Sequence, residues 1–559
     1  MTDQDERTAL VVGAGLVGTL CSAMLASRGW TVTLLESRAD PRLGTHAERA
    51  RSINLALSPR GIEALRSVSE ELVERVLREG IEMRGRMVHK NVGKGKGVET
   101  MGQDYGIVEQ GEVIRSISRT QLGIELLDHV DGLPKSGRGS VTTRFETKLV
   151  EMDVRGGKQG DDKIKVRLST KGQAEDSHEE YDFVVGGDGA YSKVRRELMR
   201  GSFARFDYKQ FYAPHSYLEL SIPPGDKDTF SIEPNYLHIW PRGEFMLIAL
   251  ANLDKSFTLT LFAHDDTFKS LDSQLRAQDG QQSNPVVDLF RKEFPDALDL
   301  MGEEALLKSW NENPKDGLIT VECSPYHYKN KVLLIGDSAH AMVPFYGKLR
   351  CLDPPPAEVL TLPFAGQGMN CGFEDVRVLS SILDHFSASP SSLVASPLPY
   401  SSVTPRLPTP PSADETTLSE RLELALESYT TIRSPSLLAI QQLAQQNYTE
   451  MASSVLSPLY LVRLSLDSLL SKFFSLSIFR DAASTRDGGI RDRGGKWESL
   501  YRMTTFRCGI AYEEVIKRRE WQGRVLEKLV AGTIGAVGLG FAGLGWWKFG
   551  RGLRVVRVE

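Results

Sequence analysis

The sequence is poor in cysteine, with five among 559 residues, and no two of them form a Cys-x-x-Cys pair. An odd number of widely spaced cysteines argues against a disulfide framework, and the missing pairs argue against a zinc site. We therefore expect a protein of a reducing compartment that holds no metal.

The sequence also lacks a dominant charge. It contains 68 lysines and arginines and 73 aspartates and glutamates, and its net charge is −5. Without a basic surplus, binding to nucleic acid is not expected. No internal repeat is visible, and the polar first ten residues contain no apolar run that could serve as a signal peptide. A chain of this length should form more than one domain.

One long uncharged stretch occurs at residues 529–547, nineteen residues of which six are glycine. As a helix it would be about 28 Å long, close to the roughly 30 Å hydrocarbon core of a bilayer. The stretch ends in two tryptophans, and Lys548, Arg551, Arg554 and Arg557 follow it, which suits a membrane interface. We predict a membrane anchor helix over 529–547. A buried or interfacial helix is the alternative, because glycine lowers helix propensity.

The first forty residues have the pattern of a βαβ unit. Residues 8–19 read as an apolar strand followed by a glycine-rich turn, 20–29 as an amphipathic helix and 31–36 as a second strand. This order predicts a parallel sheet with helices on its faces. Similar strand-and-glycine stretches at 181–189 and 332–337 suggest one nucleotide-binding domain assembled from three separated pieces of chain.

Residues 210–265 have a different pattern. The stretches 215–222, 236–240, 245–250 and 256–262 alternate or run apolar, with turn residues between them. We predict an antiparallel sheet, which can leave one face for a ligand between the two domains. We expect residues 1–205 and 316–386 to form the nucleotide-binding domain and residues 206–315 to form the substrate domain. Residues 387–417 should be a disordered serine- and proline-rich loop. Residues 418–528 should be a helical region that closes the active site, and residues 529–547 the anchor.

The turn after the first strand carries a Gly-x-Gly-x-x-Gly motif formed by Gly13, Gly15 and Gly18. The first glycine permits the turn, the second lets backbone amides approach a pyrophosphate, and the third allows close helix packing. Glu36 at the end of the second strand can accept hydrogen bonds from a ribose, and its charge disfavours a 2′-phosphate. The motif predicts bound FAD or NAD rather than NADP.

Two aspartates follow the other strand-and-glycine stretches. Asp188 lies in Gly-Gly-Asp-Gly-Ala-Tyr-Ser, and Asp337 lies in Gly-Asp-Ser-Ala-His-Ala-Met-Val-Pro. A carboxylate at a strand end beside glycine can reach a polyol such as the ribityl chain of a flavin. Taken with the glycine motif, these sequences resemble the three fingerprints of the single-component flavoprotein hydroxylases.

Further stretches are similar to the kynurenine 3-monooxygenase family within that group. They are Arg51-Ser-Ile-Asn-Leu-Ala-Leu-Ser, Glu233-Pro-Asn-Tyr-Leu-His-Ile-Trp-Pro-Arg, Gly366-Gln-Gly-Met-Asn and Gln446-Asn-Tyr-Thr-Glu-Met. The resemblance implies an α/β chain, α+β overall, with a Rossmann-like FAD-binding domain, an antiparallel-sheet substrate domain, a C-terminal helical region and a C-terminal membrane anchor. The FAD contacts that it implies are Val17, Leu35, Glu36, Ser37, Arg38, Ala56, Arg119, Leu149, Asp337, Met369 and Asn370.

The resemblance also implies how the substrate is bound. The carboxylate of an amino acid needs a charge-assisted donor, and Arg86 matches the family arginine. Its neighbour Arg84 is the alternative, but the Arg-Met-Val-His context favours Arg86. Tyr105, Asn447 and Tyr501 match the remaining substrate positions.

The implied reaction needs no catalytic side chain and no metal, because the flavin carries the chemistry. NADPH, bound transiently without a Rossmann domain of its own, reduces FAD. A C4a-hydroperoxide formed with O₂ then converts L-kynurenine to 3-hydroxykynurenine, in tryptophan degradation and NAD biosynthesis. The protein positions the ring and excludes water. His340 could be a base, but a packing or capping role is favoured. The resemblance places the enzyme on the mitochondrial outer membrane, facing the cytosol.

Residues 348–366 interrupt a family pattern that otherwise runs from Pro-Phe-aromatic-Gly directly into Gln-Gly-Met-Asn. The block is nineteen residues long, and codons for its ends can contain splice signals. We interpret it as a retained intron, with a genuine inserted loop as the alternative. Two other functions stay open: a flavin-binding protein that this block inactivates, and a membrane-bound FAD monooxygenase or epoxidase of an apolar substrate, which would not need Arg86.

Overall fold

The computed structural model describes residues 7–44, 54–92, 97–105, 111–154, 163–201, 205–277, 284–342, 367–390, 407–412, 416–452, 470 and 497–526. The strands are β1 Thr8–Val12, β2 Thr31–Leu35, β3 Asn54–Leu57, β4 Ile81–Met83, β5 Gly85–Asn91, β6 Val98–Asp104, β7 Ile114–Ser118, β8 Val141–Arg144, β9 Thr147–Asp153, β10 Ile164–Thr170, β11 Ser177–Tyr181, β12 Phe183–Gly186, β13 Asp207–Ile222, β14 Tyr236–Pro241, β15 Phe245–Ala251, β16 Phe257–His264, β17 Lys315–Ser324, β18 His327–Tyr328 and β19 Val332–Leu334.

The helices alternate with these strands in the first two thirds of the chain and dominate the last third. They are α1 Leu16–Ala26, α2 Pro59–Arg66, α3 Glu70–Arg78, α4 Arg119–Asp131, α5 Lys193–Gly201, α6 Asp265–Arg276, α7 Pro285–Glu293, α8 Pro295–Met301, α9 Glu303–Glu312, α10 Asp337–His340, α11 Gln367–His385, α12 Leu418–Ala452 and α13 Leu500–Thr505, with a 3-10 turn at Pro41–Leu43.

The nucleotide-binding sheet has six strands in the order β18-β19-β12-β1-β2-β8. All neighbours are parallel except β18 and β19. Residues 9–12 of β1 are buried because helices cover both faces of a parallel sheet, so an apolar run rather than an alternating one is required. Strands β1, β12 and β19 come from three separated pieces of chain, which confirms that prediction.

The second sheet has seven strands in the order β17-β13-β16-β15-β14-β5-β6. Its neighbours are antiparallel except β5 and β14, and β13 to β16 confirm the four predicted strands. The sheet extends beyond the predicted range 206–315, because β5, β6 and β17 also belong to it. Strands β5 and β6 are rich in polar and charged residues, so their apolar pattern is too weak to reveal them.

The C-terminal helices pack against the nucleotide-binding domain. Helix α11 lies against α1, α2 and α12, and α12 also contacts β14 and β15 of the second sheet. Helix α12 begins where the sequence predicts helical structure to resume, at Leu418. These helices therefore contact both sheets and can fix their relative position.

Several predictions fall on residues that the structure does not describe. They are the insertion 348–366, most of the loop 387–417, residues 453–469 and 471–496 of the helical region 418–528, and the anchor 529–547. Among the described helices, none combines the length and apolar character needed to span a bilayer.

Candidate active site

The glycine turn after β1 has the geometry that its motif predicts. Gly13 has a φ of +100°, and a Cβ there would lie 2.6 Å from the carbonyl oxygen of Gly187. A Cβ on Gly18 would collide with the carbonyl oxygen of Gly13. Around Gly15, by contrast, a Cβ would meet nothing within 4 Å. Helix α1 starts there without a side-chain cap or an acidic residue in its first turn, so its amides can face an anion.

Glu36 lies beside this turn, directly after β2. Its Oε2 accepts a hydrogen bond from the backbone N–H of Ala14 at 3.2 Å, and its Oε1 accepts one from that of Arg38 at 3.0 Å. The carboxylate is thereby fixed next to the start of α1. This is the position from which an acidic residue can bind a ribose.

A cavity of about 750 Å³ opens in front of the turn, within the size range of small-molecule and cofactor sites. Its walls come from both sheets, because β15 and β16 contribute residues such as Ile248 and Phe262. Thirteen predicted cofactor residues line it: Gly13, Gly15, Val17, Leu35, Glu36, Ser37, Arg38, Ala56, Arg119, Leu149, Asp188, Asp337 and Met369. The structure thus brings these separated residues to one cavity.

Asp337 begins α10 with its side chain open to this cavity. Neither of its carboxylate oxygens accepts a hydrogen bond within the described part of the chain. Burial raises the pKa of this carboxyl, while the charges of His340 and Arg119 oppose the rise. An acceptor of this kind, facing a cavity, is suited to the hydroxyls of a polyol.

Arg119 opens α4 and also faces the cavity. Among the described residues, its guanidinium has no hydrogen-bond or ion-pair partner, so its donors can bind an anion. The glycine turn, the bare start of α1, this cation and the Asp337 carboxylate fit the pyrophosphate and polyol of FAD.

Asp188 lines the cavity, but its carboxylate has a role that the sequence interpretation missed. Its Oδ1 accepts from the hydroxyl of Ser192 at 2.5 Å, and its Oδ2 accepts from the N–H groups of Lys193 and Val194 at 2.6 and 3.1 Å. These bonds cap the start of α5. The structure shows a helix cap at the cavity wall, and the contact with a polyol stays a prediction. The local signal was an aspartate just ahead of a predicted helix.

Asn370 and Gly18 are the two predicted cofactor residues that do not line the cavity. The Oδ1 of Asn370 accepts from the N–H and hydroxyl of Ser58, each at 2.9 Å, and its Nδ2 donates to the carbonyl oxygen of Ala56 at 2.9 Å. Because Ala56 itself lines the cavity, Asn370 supports the wall from behind. Gly18 also lies behind the cavity wall, where the lack of a Cβ lets α1 pack closely against Gly13. The contacts of Asn370 and Gly18 with the cofactor stay predictions.

Three of the four predicted substrate residues meet beside the second sheet. Arg86 in β5 is 3% exposed, and its Nε donates to the Oε1 of Gln103 at 2.6 Å. The rings of Tyr105 and Tyr501 stack with centroids 4.5 Å apart, and their hydroxyl groups share a hydrogen bond. Burial raises the pKa of Tyr105, and the Arg86 charge opposes this rise. Burial raises the pKa of Tyr501 as well, so both phenols stay protonated near neutral pH. Tyr501 donates to Tyr105 in their shared hydrogen bond, so the O–H of Tyr105 is the one that can donate to a ligand.

The structure also separates Arg86 from its alternative, Arg84. Arg84 is exposed, its Nε donates to the hydroxyl of Tyr236 at 2.9 Å, and its guanidinium lies 4.8 Å from the centre of that ring. Arg86 is the arginine whose charge acts on Tyr105 and Tyr501. Gln103, which no motif indicated, lies opposite Arg86 in the β5–β6 ladder. Asn447 lies in α12, but its side chain is outside the described part of the structure.

His340 is buried, and its Nε2 lies 2.5 Å from the Oδ2 of Asp375. Its partner is thus a carboxylate of α11 rather than a group in the cavity. This agrees with the packing role favoured by the sequence.

Comparisons with known proteins agree with a cavity that binds FAD. The family described as FAD binding domain matches residues 6–207. The kynurenine 3-monooxygenase of Cryptococcus neoformans is 38% identical, with 97% of each chain covered. That of Yarrowia lipolytica is 38% identical over 95% of this chain and 96% of its own. That of Saccharomyces cerevisiae is 34% identical with the same coverage.

Solved structures show the same fold at lower identity. The tetrameric form of 2-methyl-3-hydroxypyridine-5-carboxylic acid oxygenase matches with a TM-score of 0.52 and 18% identity, covering 82% of this chain and 95% of its own. Pseudomonas aeruginosa PqsL in complex with 2-aminobenzoylacetate matches with a TM-score of 0.53 and 18% identity, covering 80% and 97%. At this identity the likeness concerns the fold alone.

Proposed function

Since the chain belongs to the kynurenine 3-monooxygenase family and is an FAD-dependent monooxygenase, we propose that it hydroxylates L-kynurenine to 3-hydroxy-L-kynurenine with NADPH and O₂. The observation that carries this proposal is the buried Arg86 beside the stacked pair Tyr105 and Tyr501. A buried cation beside a phenol donor suits the carboxylate of an amino-acid substrate.

The placement of Arg86 supports a substrate that reaches toward the cavity. Strand β5 lies two strands from β15, whose Ile248 and Leu250 line the cavity. Two strand spacings are about 10 Å. That distance suits an amino acid whose carboxylate is bound at Arg86 and whose aromatic ring extends toward the apolar wall of the cavity.

FAD, when bound, supplies the redox chemistry: it accepts electrons from NADPH and activates O₂ for transfer of one oxygen atom to the ring. The start of α1, Glu36, Arg119 and Asp337 would hold it. The remaining task of the chain is to orient the ring and exclude water, for which Ile248, Leu250 and Phe262 provide an apolar surface. We propose NADPH as a transient co-substrate, and a place for the reaction in tryptophan degradation and NAD biosynthesis.

Kinetic measurements test this proposal. FAD-loaded protein should oxidise NADPH faster when L-kynurenine is present and should form 3-hydroxykynurenine in step with NADPH loss. A monooxygenase of an apolar substrate would give no such stimulation, and a flavin-binding protein without turnover would give none with any substrate. Absence of stimulation in protein lacking residues 348–366 would remove the proposal.

We further propose that residues 529–547 anchor the enzyme in the mitochondrial outer membrane with its catalytic part facing the cytosol. The support is the sequence: nineteen uncharged residues followed by a basic flank. Cell fractionation of the full chain and of a chain ending at residue 526 tests this. Equal partitioning of the two into the soluble fraction would contradict an anchor.

A further inference from the structure

Helix α11 carries a carboxylate that joins two arginines in the protein interior. Glu374 is fully buried, with its Oε1 2.6 Å from the Nη1 of Arg60 and its Oε2 3.0 Å from the Nη1 of Arg433. Burial alone would raise the pKa of Glu374, but the charges of these arginines outweigh burial and lower the pKa below its usual value. The three groups are therefore charged together.

Arg60 directs its other donors to carbonyl oxygens at the end of α13 and in the segment that follows it. Its Nε donates to the carbonyl oxygen of Thr504 at 2.6 Å, and its Nη2 donates to that of Ile510 at 2.6 Å. Its guanidinium also lies 4.2 Å from the ring centre of Tyr512. Carbonyl groups at a helix end lack partners within the helix and attract cations. Arg60 thus fixes the end of the helix that carries Tyr501.

Arg433 directs its donors to the opposite side. Its Nη2 lies 2.8 Å from the Oδ1 of Asp375. The Oδ2 of Asp375 accepts from the backbone N–H of Gly336 at 3.0 Å and contacts His340. Gly336 directly precedes Asp337, whose carboxylate faces the cavity. Arg433 thus supports the turn on the cofactor side.

We infer that Arg60 is a positioning residue for the substrate pocket: by holding the end of α13, it keeps Tyr501 stacked on Tyr105. This inference rests on the proposed function for its kinetic consequences. Arg60 and Glu374 do not line the cavity. The contacts of Arg60 with the carbonyl oxygens of Thr504 and Ile510 indicate that it acts on the substrate pocket through Tyr501. Arg433, which shares Glu374 but reaches the Gly336 turn, provides a matched control.

Arg60→Lys and Arg433→Lys test the inference, since lysine keeps the charge but cannot reproduce the donor fork of arginine. Arg60→Lys should raise the KM for L-kynurenine by about tenfold, because a small displacement of a distant support disturbs substrate placement. It should also divert NADPH oxidation to hydrogen peroxide while FAD is retained. Arg433→Lys should instead weaken FAD retention, with a KM close to that of the unchanged protein.

A double-mutant cycle with Tyr501→Ala, which removes the stacked ring, separates positioning from a general loss of stability. If Arg60 acts through the position of the Tyr501 ring, Arg60→Lys should raise the KM much less in the Tyr501→Ala background than alone. Additive effects in the cycle, or FAD loss in Arg60→Lys equal to that in Arg433→Lys, would overturn the inference.

Hydrogen exchange gives a test that does not depend on the substrate. Amides of α13 should exchange faster in Arg60→Lys, and amides of residues 336–340 should exchange faster in Arg433→Lys. Suppose that the variants show these exchange differences but that L-kynurenine does not stimulate NADPH oxidation by the unchanged protein. In that case the proposed function would fail and the structural role of Arg60 would stand. If Arg60→Lys does not fold, Glu374→Gln takes its place in the experiment. Amide exchange should then be faster both in α13 and in residues 336–340. An effect confined to residues 336–340 would then overturn the inference.

Discussion

Tyr105 and Tyr501 stack with their ring centroids 4.5 Å apart, although one follows β6 in the first fifth of the chain and the other lies in a helix near its end. Each ring excludes water from one side of the other, and both lie in the field of Arg86. The pair therefore joins the C-terminal helices to the second sheet at the place where the substrate carboxylate is proposed to bind.

Replacement of Arg86 should remove substrate binding without removing the cofactor. We expect Arg86→Ala to weaken binding of L-kynurenine by about 2–5 kcal/mol, because a buried charged partner of the carboxylate is lost. The KM for L-kynurenine and the flavin absorbance of the purified protein measure the two effects. Arg84→Ala is the matched control and should leave the KM nearly unchanged. A normal KM in Arg86→Ala would show that another group binds the carboxylate.

Asp337 should matter for the cofactor through its charge. Asp337→Asn keeps the size of the side chain but removes a charged acceptor that faces the cavity without a partner among the described residues. We expect FAD to bind more weakly by about 1.5–3 kcal/mol, the contribution of a hydrogen bond to a charged group. Fluorescence titration of the apoprotein with FAD measures this loss. Unchanged affinity would mean that the carboxylate does not contact the cofactor.

Asp188 should behave differently, because its carboxylate caps α5. Asp188→Ala should destabilise the apoprotein by about 0.5–2 kcal/mol, as the loss of a helix cap does. Thermal unfolding without FAD measures this change. A constant melting temperature of the apoprotein would contradict the capping role, and a fall in FAD affinity would support the predicted contact of Asp188 with a polyol.

The different surroundings of Asp337 and Asp188 show which features of the site can be predicted from the sequence and which cannot. Gly13, Glu36 and Asp337 were predictable because a short turn or strand end demands their residue type and places them at the cavity. The bond from Asn370 to Ser58 depends on how distant segments pack. The pairing of Gln103 with Arg86 likewise depends on a strand register that polar strands do not reveal. The Arg60–Glu374–Arg433 link joins three helices, so no local pattern contains it.

Acid should destabilise the second sheet through a buried pair of histidines. The Nε2 of His89 lies 2.8 Å from the Nδ1 of His238, and burial lowers the pKa of His238 from 6.5 to about 4. Between these values the unfolded chain binds a proton that the folded protein does not. The stability from His238 is therefore complete above about pH 6.5 and is lost as the pH falls toward 4.

His238→Gln tests this pH dependence, since glutamine keeps one donor and one acceptor without titrating. Free energies of unfolding, measured in urea from pH 7 to 4, should fall less steeply in this variant than in the unchanged protein. The contact of His89 with Asp296, at 2.7 Å, is present in both proteins, so its contribution to the pH dependence is the same in both. If the free energies of unfolding of the two proteins fell in parallel with pH, His238 would not be the origin of the pH dependence.

Removal of residues 348–366 should increase activity if the block is a retained intron. Met342 and Met369 line the same cavity on either side of this block, and Asn370 supports the wall at Ala56. The shortened chain restores a continuous Phe-Tyr-Gly-Gln-Gly-Met-Asn segment between these fixed points. We expect it to retain FAD better and to form more 3-hydroxykynurenine per NADPH than the full chain. Sequencing of the mature transcript decides the origin of the block. A transcript that keeps it, together with full activity of the longer chain, would establish a genuine loop that the active site accommodates.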